Sequence, residues 1–317
     1  MRKKNLFHYN SKILKVSQLA AIAVYDYIGK KDETSADRAA VESMRTELNK
    51  IDFNGTIVIG EGERDKAPML YIGEKVGNGK SYINLDIALD PLEGTKITAN
   101  NQKNALTVIS LGNRKSFLNA PDVYMEKLAV GPNLPNNFLD LDIPFEVIVE
   151  KLAEYKKKKV SEIVVCVLDR PRHNSFFEVI KRKKCKKFLI PDGDIFGAIS
   201  TAIKKFGIDI YVGIGGAPEG VLAASVLKCL GGQMQCRLIF KDKSQKKRAL
   251  KMGIKNFNKK YQIEDLIKKD AIFVATGVTN GYLLNGIKKN KKIFRTHSLM
   301  VSTKSKKLKF IKSEFKI

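Results

Sequence analysis

The sequence predicts a mixed α/β protein in which helices and strands pack in layers. Of its 317 residues, 44% are hydrophobic and 29% are charged, which is the composition of a globular chain with enough apolar material for a core. In the second half of the chain, short apolar runs alternate with segments of helical periodicity, as in layered α/β folds. No stretch approaches the roughly 20 uninterrupted apolar residues of a membrane-spanning helix, so we expect no membrane partner.

The first third of the chain predicts three helices and three strands. Apolar side chains recur at helical spacing over residues 11–29, and Gly29 ends the pattern. Thr34 or Ser35 is suited to cap a second helix that runs to about Asn49. The predicted strands are 56–59, 82–89 and 105–111, with a helix over 68–76. The second of these strands should end at Asp90-Pro91, because proline cannot donate to a ladder.

The remainder of the chain predicts alternating strands and helices. The predicted strands are 163–168, 188–190, 210–214 and 272–275, and the predicted helices are 174–182, 195–205 and 219–230. A hairpin over 299–303 and 308–313 follows. Because the loop over 112–145 is long and rich in proline and asparagine, we expect an N-terminal α+β subdomain over 1–145. A C-terminal α/β subdomain over 146–317 should follow, with its terminal hairpin packing back.

The charge of the chain is strongly positive but does not identify a function. Lysine and arginine number 58 against 33 acidic residues, which gives a net charge of +25 and a field that attracts anions. Much of the excess lies in runs over 156–159, 181–187, 241–248 and 304–312, and such runs are usually solvated surfaces. Since no zinc spacing or aromatic-interleaved basic strand occurs, we expect no specific nucleic-acid partner.

The cysteines indicate a reducing compartment. The four cysteines form no Cys-x-x-Cys pair, and they are Cys166, Cys185, Cys229 and Cys236. The apolar stretch near the start is interrupted by Lys12, Lys15 and Gln18, which does not suit a signal peptide. We therefore expect reduced thiols in a cytoplasmic protein, with no structural zinc.

Acidic residues gather where predicted strands end. Glu61, Glu63 and Asp65 lie within five residues directly after one strand, and Gly60 and Gly62 flank the first of them. Asp90 and Glu93 are three residues apart across the turn that ends another, and Gly94-Thr95 follows. Like charges this close repel unless a cation compensates them, and oxygen ligands suit Mg²⁺ or Mn²⁺. The alternative for the first cluster is a solvated acidic loop.

Two glycine-rich turns and a pair of arginines suggest anion binding. Residues 191–194 and 213–220 each lead from a strand into a helix, where free N–H groups and the helix dipole favour an anion. Neither turn has the pattern of a Walker A motif or a dinucleotide fingerprint. Arg170 and Arg172 flank a proline after a strand and could grip a phosphate bidentately. An exposed basic loop is the alternative.

Taken together, these blocks resemble one known family. Residues 58–77, 90–95, 119–128, 191–194, 213–220 and 275–279 are similar, in order and over nearly the whole chain, to class II fructose-1,6-bisphosphatases. Residues 90–95 alone would indicate only the wider superfamily of metal-dependent, often lithium-sensitive sugar and inositol phosphatases. The other blocks specify the narrower family.

The resemblance implies an α-β-α-β-α sugar phosphatase fold with mixed sheets and a homo-oligomer, either dimer or tetramer. It implies an enzyme of gluconeogenesis that hydrolyses fructose 1,6-bisphosphate to fructose 6-phosphate and phosphate with Mn²⁺ or Mg²⁺. The implied metal ligands are Asp37, Glu61, Asp90, Glu93 and Glu219, and the groups near the attacking water are Thr95 and Asp65. The implied substrate contacts are Glu93, Gly94, Thr95, Tyr124, Arg170, Pro171, Arg172, Asp192, Gly193, Asp194 and Gly216.

The chain departs from the family pattern at a few positions. Arg38 replaces the glycine usual after Asp37, Arg170 stands where lysine is familiar, and Tyr282 lies where an acidic residue is common. The loop after Arg237 is shortened. None of these changes removes an implied ligand, so we expect activity.

Two other functions use the same features. The same site could serve sedoheptulose 1,7-bisphosphate or an inositol phosphate, because the chemistry acts on the phosphoester more than on the sugar. A non-catalytic anion- or nucleic-acid-binding protein on this fold is the third possibility, and the retained set of acids argues against it.

Overall fold

The structure, a computed structural model, describes residues 5–60 and 70–317. The described residues form two compact units. The first unit comprises the described residues up to Leu118 together with Lys268–Ile317, and the second unit comprises Asn119–Ile267.

The elements of both units follow in chain order. The first unit opens with α1 (Asn10–Ala23), α2 (Glu33–Asn49), β1 (Asn54–Ile59), β2 (Lys75–Val76), β3 (Asn84–Glu93), α3 (Thr95–Ala99) and β4 (Leu106–Asn113). The second unit contains β5 (Tyr124–Val130), α4 (Phe145–Tyr155), β6 (Val164–Leu168), α5 (Asn174–Arg182), β7 (Lys186–Ile190), α6 (Asp194–Ser200), β8 (Ile210–Gly216), α7 (Ala217–Leu230), β9 (Gln233–Ile239), α8 (Lys243–Lys251), β10 (Lys260–Gln262) and α9 (Ile263–Leu266). The first unit closes with β11 (Ala271–Gly277), β12 (Lys288–Asn290), β13 (Ile293–Ser302) and β14 (Lys309–Lys316).

The first unit is a sheet with α1 and α2 packed against it. Its strand order is β12-β13-β11-β4-β3-β1-β2, and β14 pairs with β13. Strands β1 and β3 run parallel, and the other neighbours are antiparallel. Leu85, Ile87 and Leu89 share one buried cluster with Ile13 of α1 and Met44 of α2. Side chains alternate along a strand, so every second residue of β3 supports this core.

The second unit has three layers. Its strand order is β10-β9-β5-β8-β6-β7, in which β6 runs parallel to β7 and β8 and the other neighbours are antiparallel. Leu128 of β5 packs with Ile148 of α4 and Ile180 of α5. Met125 and Lys127, at alternate positions of β5, instead approach α7 at Gly220. Helices therefore cover both faces of this sheet.

These features confirm the predicted mixed α/β class, because both sheets are mixed. Taken separately, one unit has two layers and the other has three. No helix within residues 5–60 and 70–317 is long and apolar enough to cross a membrane.

The two compact units differ in their bounds from the expected subdomains, which meet at residue 145. The chain enters the second unit at Asn119 and returns to the first at Lys268. The reason is strand pairing, since β11 pairs with β4 in the first sheet and β5 pairs with both β8 and β9 in the second. The supposed loop over 112–145 therefore contains a central strand. The terminal hairpin pairs with β11 and belongs to the first unit.

Most predicted elements are present, and three local predictions were wrong. Part of the helix expected over 68–76 is instead the strand β2, which pairs with β1. Residues 70–74 are not helical and contain a turn at Ile72 and Gly73; residues 68 and 69 lie outside the described residues. Helix α2 is capped by Asp32, whose carboxylate accepts a hydrogen bond from the Ser35 N–H at 2.9 Å. Strand β3 continues beyond Pro91 to Glu93, because a bulge between Asp90 and Glu93 absorbs the proline.

Truncating a β3 core residue tests this description of the first unit. Ile87 is 0% exposed, so Ile87→Ala should lower the free energy of unfolding by about 2–5 kcal/mol. The matched control is Ile293→Ala on β13, where the side chain is 39% exposed and the loss should stay below about 1 kcal/mol. Urea unfolding measures both, and equal shifts would contradict the assigned core.

Candidate active site

The turn that ends β3 brings two carboxylates together. Oxygen atoms of Asp90 and Glu93 lie within 4.8 Å of one another. The Asp90 Oδ1 accepts a hydrogen bond from the Leu92 N–H at 3.0 Å, which closes the turn over Pro91. Two carboxylates at this separation favour a bound cation, and an all-oxygen donor set fits Mg²⁺ or Mn²⁺. The chemistry of these donors therefore fits the implied divalent metal.

Gly94 makes the geometry of this turn possible. Its φ of 93° is in the left-handed region, and a Cβ there would lie 2.6 Å from the Ile97 side chain. The Gly94 carbonyl accepts hydrogen bonds from the Thr98 N–H at 3.0 Å and the Thr98 hydroxyl at 2.9 Å. These bonds fix the start of α3, so Thr95, two residues after Glu93, is held as the first residue of this helix.

Another acid of the predicted metal set lies on a helix that packs near this turn. Asp37 is on α2, whose Ala36 and Ala40 share a buried cluster with Leu92 and Ile97. The helix is thus anchored to the Asp90–Thr95 segment by apolar contacts. The described carboxylates that lie close enough together to hold one ion do not include Asp37, so its role as a ligand stays a prediction.

The remaining predicted acids belong to other segments of the chain. Glu61 and Asp65 lie outside the described residues. Glu219 belongs to the second unit and lies in the first turn of α7. Its carboxylate fills the space that a Cβ at Gly216 would need, so the two residues are packed against each other at the start of this helix.

Three of the predicted substrate contacts, Tyr124, Arg172 and Gly216, lie around the ends of β5 and β8. Tyr124 and Gly216 are direct partners in the antiparallel register of these strands. The Arg172 guanidinium carbon lies 5.3 Å from the centre of the Tyr124 ring, which is a cation–π distance. The Arg172 Nε donates a hydrogen bond to the Ile214 carbonyl at 2.8 Å. This bond orients the guanidinium and leaves its two terminal nitrogens for another acceptor.

Two further predicted contacts form a loose ion pair in the same unit. The Arg170 Nη2 lies 3.9 Å from the Asp192 Oδ2, and both side chains are partly exposed. Pro171 begins a short 3-10 turn between the two arginines. The Asp192 Oδ1 accepts a hydrogen bond from the Gly193 N–H at 2.9 Å, and Gly193 has a φ of 95° before α6. An exposed pair of this length costs little to open, so both charges remain available to a ligand.

A second cation beside Tyr124 was missed by the sequence analysis. The Lys241 Nζ lies 4.5 Å from the centre of the Tyr124 ring, just after β9. In the sequence this lysine opens the basic run over 241–248, which reads as a solvated surface. The pairing of Tyr124 on β5 with Ile239 on β9 is what brings Lys241 close to the Tyr124 ring.

His173 has a structural role that the sequence did not suggest. Its imidazole is 0% exposed, and its Nε2 accepts a hydrogen bond from the Ile214 N–H at 2.8 Å. The Nδ1 therefore carries the proton and donates to the Leu168 carbonyl at 2.8 Å. Burial lowers the pKa of this histidine. The neutral ring thus links the end of β6 to β8.

Asp194 is engaged by two side chains that the sequence analysis did not single out. Its buried carboxylate accepts hydrogen bonds from the Lys127 ammonium and the Tyr211 hydroxyl. Burial raises the pKa of Tyr211 well above its ordinary value, with the Asp194 charge as a second cause. Direct contact of Asp194 with substrate stays a prediction. Lys127 escaped notice because its strand, β5, was not predicted.

A family model and three known proteins that are similar to this chain are all named as fructose-1,6-bisphosphatases. A family model described as "Bacterial fructose-1,6-bisphosphatase, glpX-encoded" matches residues 8–315. The chain is 41% identical over 313 residues to the class 2 fructose-1,6-bisphosphatase of Haemophilus influenzae, covering 94% of this chain and 93% of that one. It is 42% identical over 313 residues to fructose-1,6-bisphosphatase 1 class 2 of Escherichia coli K12, covering 94% and 92%. A relative from Synechococcus sp. JA-3-3Ab is named D-fructose 1,6-bisphosphatase class 2/sedoheptulose 1,7-bisphosphatase and is 38% identical over 323 residues, covering 94% and 93%.

These relatives are phosphoric monoester hydrolases, which defines the class of the chain as a phosphatase. More particularly, the chain belongs to the family of bacterial, glpX-encoded fructose-1,6-bisphosphatases. The family predicted from the sequence motifs is therefore confirmed.

The neutral state of His173 predicts a specific dependence of stability on pH. Since burial lowers its pKa in the folded protein, the unfolded chain binds this proton more readily. The group has no effect well above about pH 6.5, and below that it destabilises the fold by at most about 1.4 kcal/mol per pH unit. When the pH falls from 7 to 5.5, the free energy of unfolding measured with urea should therefore decrease more for the parent than for His173→Gln, whose side chain does not titrate. Equal losses would contradict the neutral assignment.

Proposed function

We propose that this chain hydrolyses fructose 1,6-bisphosphate to fructose 6-phosphate and phosphate, as the names of its relatives indicate. The observation that carries the proposal is the pair of carboxylates at Asp90 and Glu93, fixed beside Thr95 by a glycine turn. A divalent metal that promotes hydrolysis of a phosphate monoester needs oxygen donors of this kind.

The metal site would be built by five acids, Asp37, Glu61, Asp90, Glu93 and Glu219. Their carboxylate oxygens suit Mn²⁺ or Mg²⁺ rather than zinc, which prefers nitrogen and sulfur ligands. When bound, the divalent cation supplies an acidified water and neutralises phosphate charge. Acids held in place before substrate arrives would reduce the reorganisation that catalysis otherwise requires.

The residues that follow β3 would align the reaction. Thr95 is the first residue of α3 and is partly exposed, so its hydroxyl can orient the attacking water. Asp65 would accept a proton from that water. Gly94 keeps the backbone free of a side chain at the point where the phosphate must approach.

The second unit would hold the sugar and the distal phosphate. Arg172 offers two terminal guanidinium nitrogens beside Tyr124, which suits bidentate binding of phosphate oxygens. Arg170 would add a second positive charge after leaving its long contact with Asp192. These charges favour substrates with two phosphates over those with one.

Sedoheptulose 1,7-bisphosphate is a second candidate substrate. The relatives from Synechococcus carry both activities in their names. The two substrates share the terminal phosphoesters and differ in sugar length. Parallel assays of phosphate release from both would establish the preference.

The cysteines support a cytoplasmic location for this chain. All four cysteines are free thiols in the structure, which favours a reducing compartment such as the cytoplasm. Assembly into a homo-oligomer, which the resemblance implies, stays a prediction.

Two substitutions in the turn after β3 test the proposed function. Glu93→Gln removes a charged ligand and Thr95→Ala removes the water-orienting hydroxyl, so each should lower kcat for fructose 1,6-bisphosphate by about a hundredfold or more. Phosphate release in the presence of Mn²⁺ measures this loss, and far-ultraviolet circular dichroism checks that both variants are folded.

The matched control is Glu150→Gln on α4, whose side chain pairs with Lys183 on the surface. It removes the same charge and should retain the parent rate. Parent-like turnover in both Glu93→Gln and Thr95→Ala would exclude the proposed reaction at this turn.

A further inference from the structure

Three glycines of the 213–220 segment make room for polar side chains. A Cβ at Gly215 would collide with the Asp194 carboxylate, and a Cβ at Gly216 would collide with that of Glu219. A Cβ at Gly220 would lie 3.1 Å from the Lys127 Cε and 2.6 Å from a neighbouring methionine sulfur. Each of these glycines therefore accommodates a neighbouring side chain.

Lys127 is the least expected of these side chains. It is 1% exposed, although a buried ammonium is costly unless it is paired and hydrogen-bonded. Its Nζ donates to the Asp194 carboxylate and, at 2.6 Å, to the Gly216 carbonyl. Asp194 is held in turn by the buried Tyr211 hydroxyl. The charge of Lys127 is thus compensated at one end of β8.

The Gly216 carbonyl is half of the peptide group that opens α7. The other half, the Ala217 N–H, donates to the Val123 carbonyl at 2.8 Å. Both polar atoms of this peptide are therefore fixed from the β5 side, one by backbone and one by Lys127. Glu219 follows two residues later in the first helical turn. Pro218, which lies between Ala217 and Glu219, has no N–H and a restricted φ. The orientation of the Gly216–Ala217 peptide therefore constrains the position of Glu219.

We propose that Lys127 is a positioning residue for Glu219: its ammonium fixes the peptide that starts α7 and so holds the Glu219 carboxylate in place for a divalent metal ion. The inference rests on the proposed function only in taking Glu219 as a metal ligand. It predicts that removing Lys127 weakens metal binding without removing any ligand.

Direct binding of Mn²⁺ tests this role separately from activity. Titration of the purified protein, followed through the electron paramagnetic resonance of free Mn²⁺, should show about tenfold weaker binding in Lys127→Met. The matched control is Lys228→Met, which removes a lysine at the other end of α7 whose Nζ donates to the Ile267 carbonyl. That variant should bind Mn²⁺ as the parent does.

A double variant separates positioning from simple destabilisation. Lys127→Met alone leaves the Asp194 charge buried without its ammonium, which could unfold the unit. Lys127→Met/Asp194→Asn removes both charges, so its urea midpoint should return towards that of the parent. Its Mn²⁺ binding should remain about tenfold weakened, because the contact to the Gly216 carbonyl is still lost.

The outcomes distinguish the two proposals. Parent-like Mn²⁺ affinity in the double variant would overturn the positioning role, and so would equal weakening in Lys228→Met. Failure of the parent to bind Mn²⁺ would overturn it as well. If the parent binds Mn²⁺ but releases no phosphate from fructose 1,6-bisphosphate, the proposed function fails while the binding comparison still tests Lys127.

Discussion

The repulsion between the Asp90 and Glu93 carboxylates is the constraint on which the account of this protein depends. Strand β3 is buried from Leu85 to Glu93 except at Asp90, which is partly exposed. A bulge lets the strand pass through Pro91, and the left-handed Gly94 turns the chain directly into α3. Each feature is locally unfavourable or rare. Their combination makes sense as a means of holding negative oxygens within 4.8 Å of one another for a cation.

In the second unit the buried charge that must be compensated is positive rather than negative. There a buried ammonium, a carboxylate and a phenol satisfy one another beneath a glycine-rich strand end. A neutral histidine ties the neighbouring strand to the same region. Such a network is rigid when all its members are satisfied. A rigid support of this kind is what residues that must bind a small charged substrate require.

The sequence predicted those parts of the molecule that are local in the chain. Helix α5 has the bounds that its periodicity predicted, and the acids of the β3 turn were visible because Asp90, Glu93, Gly94 and Thr95 are nearly contiguous. Strand β5 was missed because Glu126 and Lys127 interrupt its apolar pattern. Lys127 is buried only because Asp194, 67 residues further along, provides its partner. A pair formed across that distance leaves no periodic trace in either segment.

The most direct test of the central claim is to locate the metal ion. Crystals grown with Mn²⁺ and measured at the manganese absorption edge should show an anomalous peak within about 2.5 Å of a carboxylate oxygen of both Asp90 and Glu93. A manganese peak found only elsewhere would contradict the account.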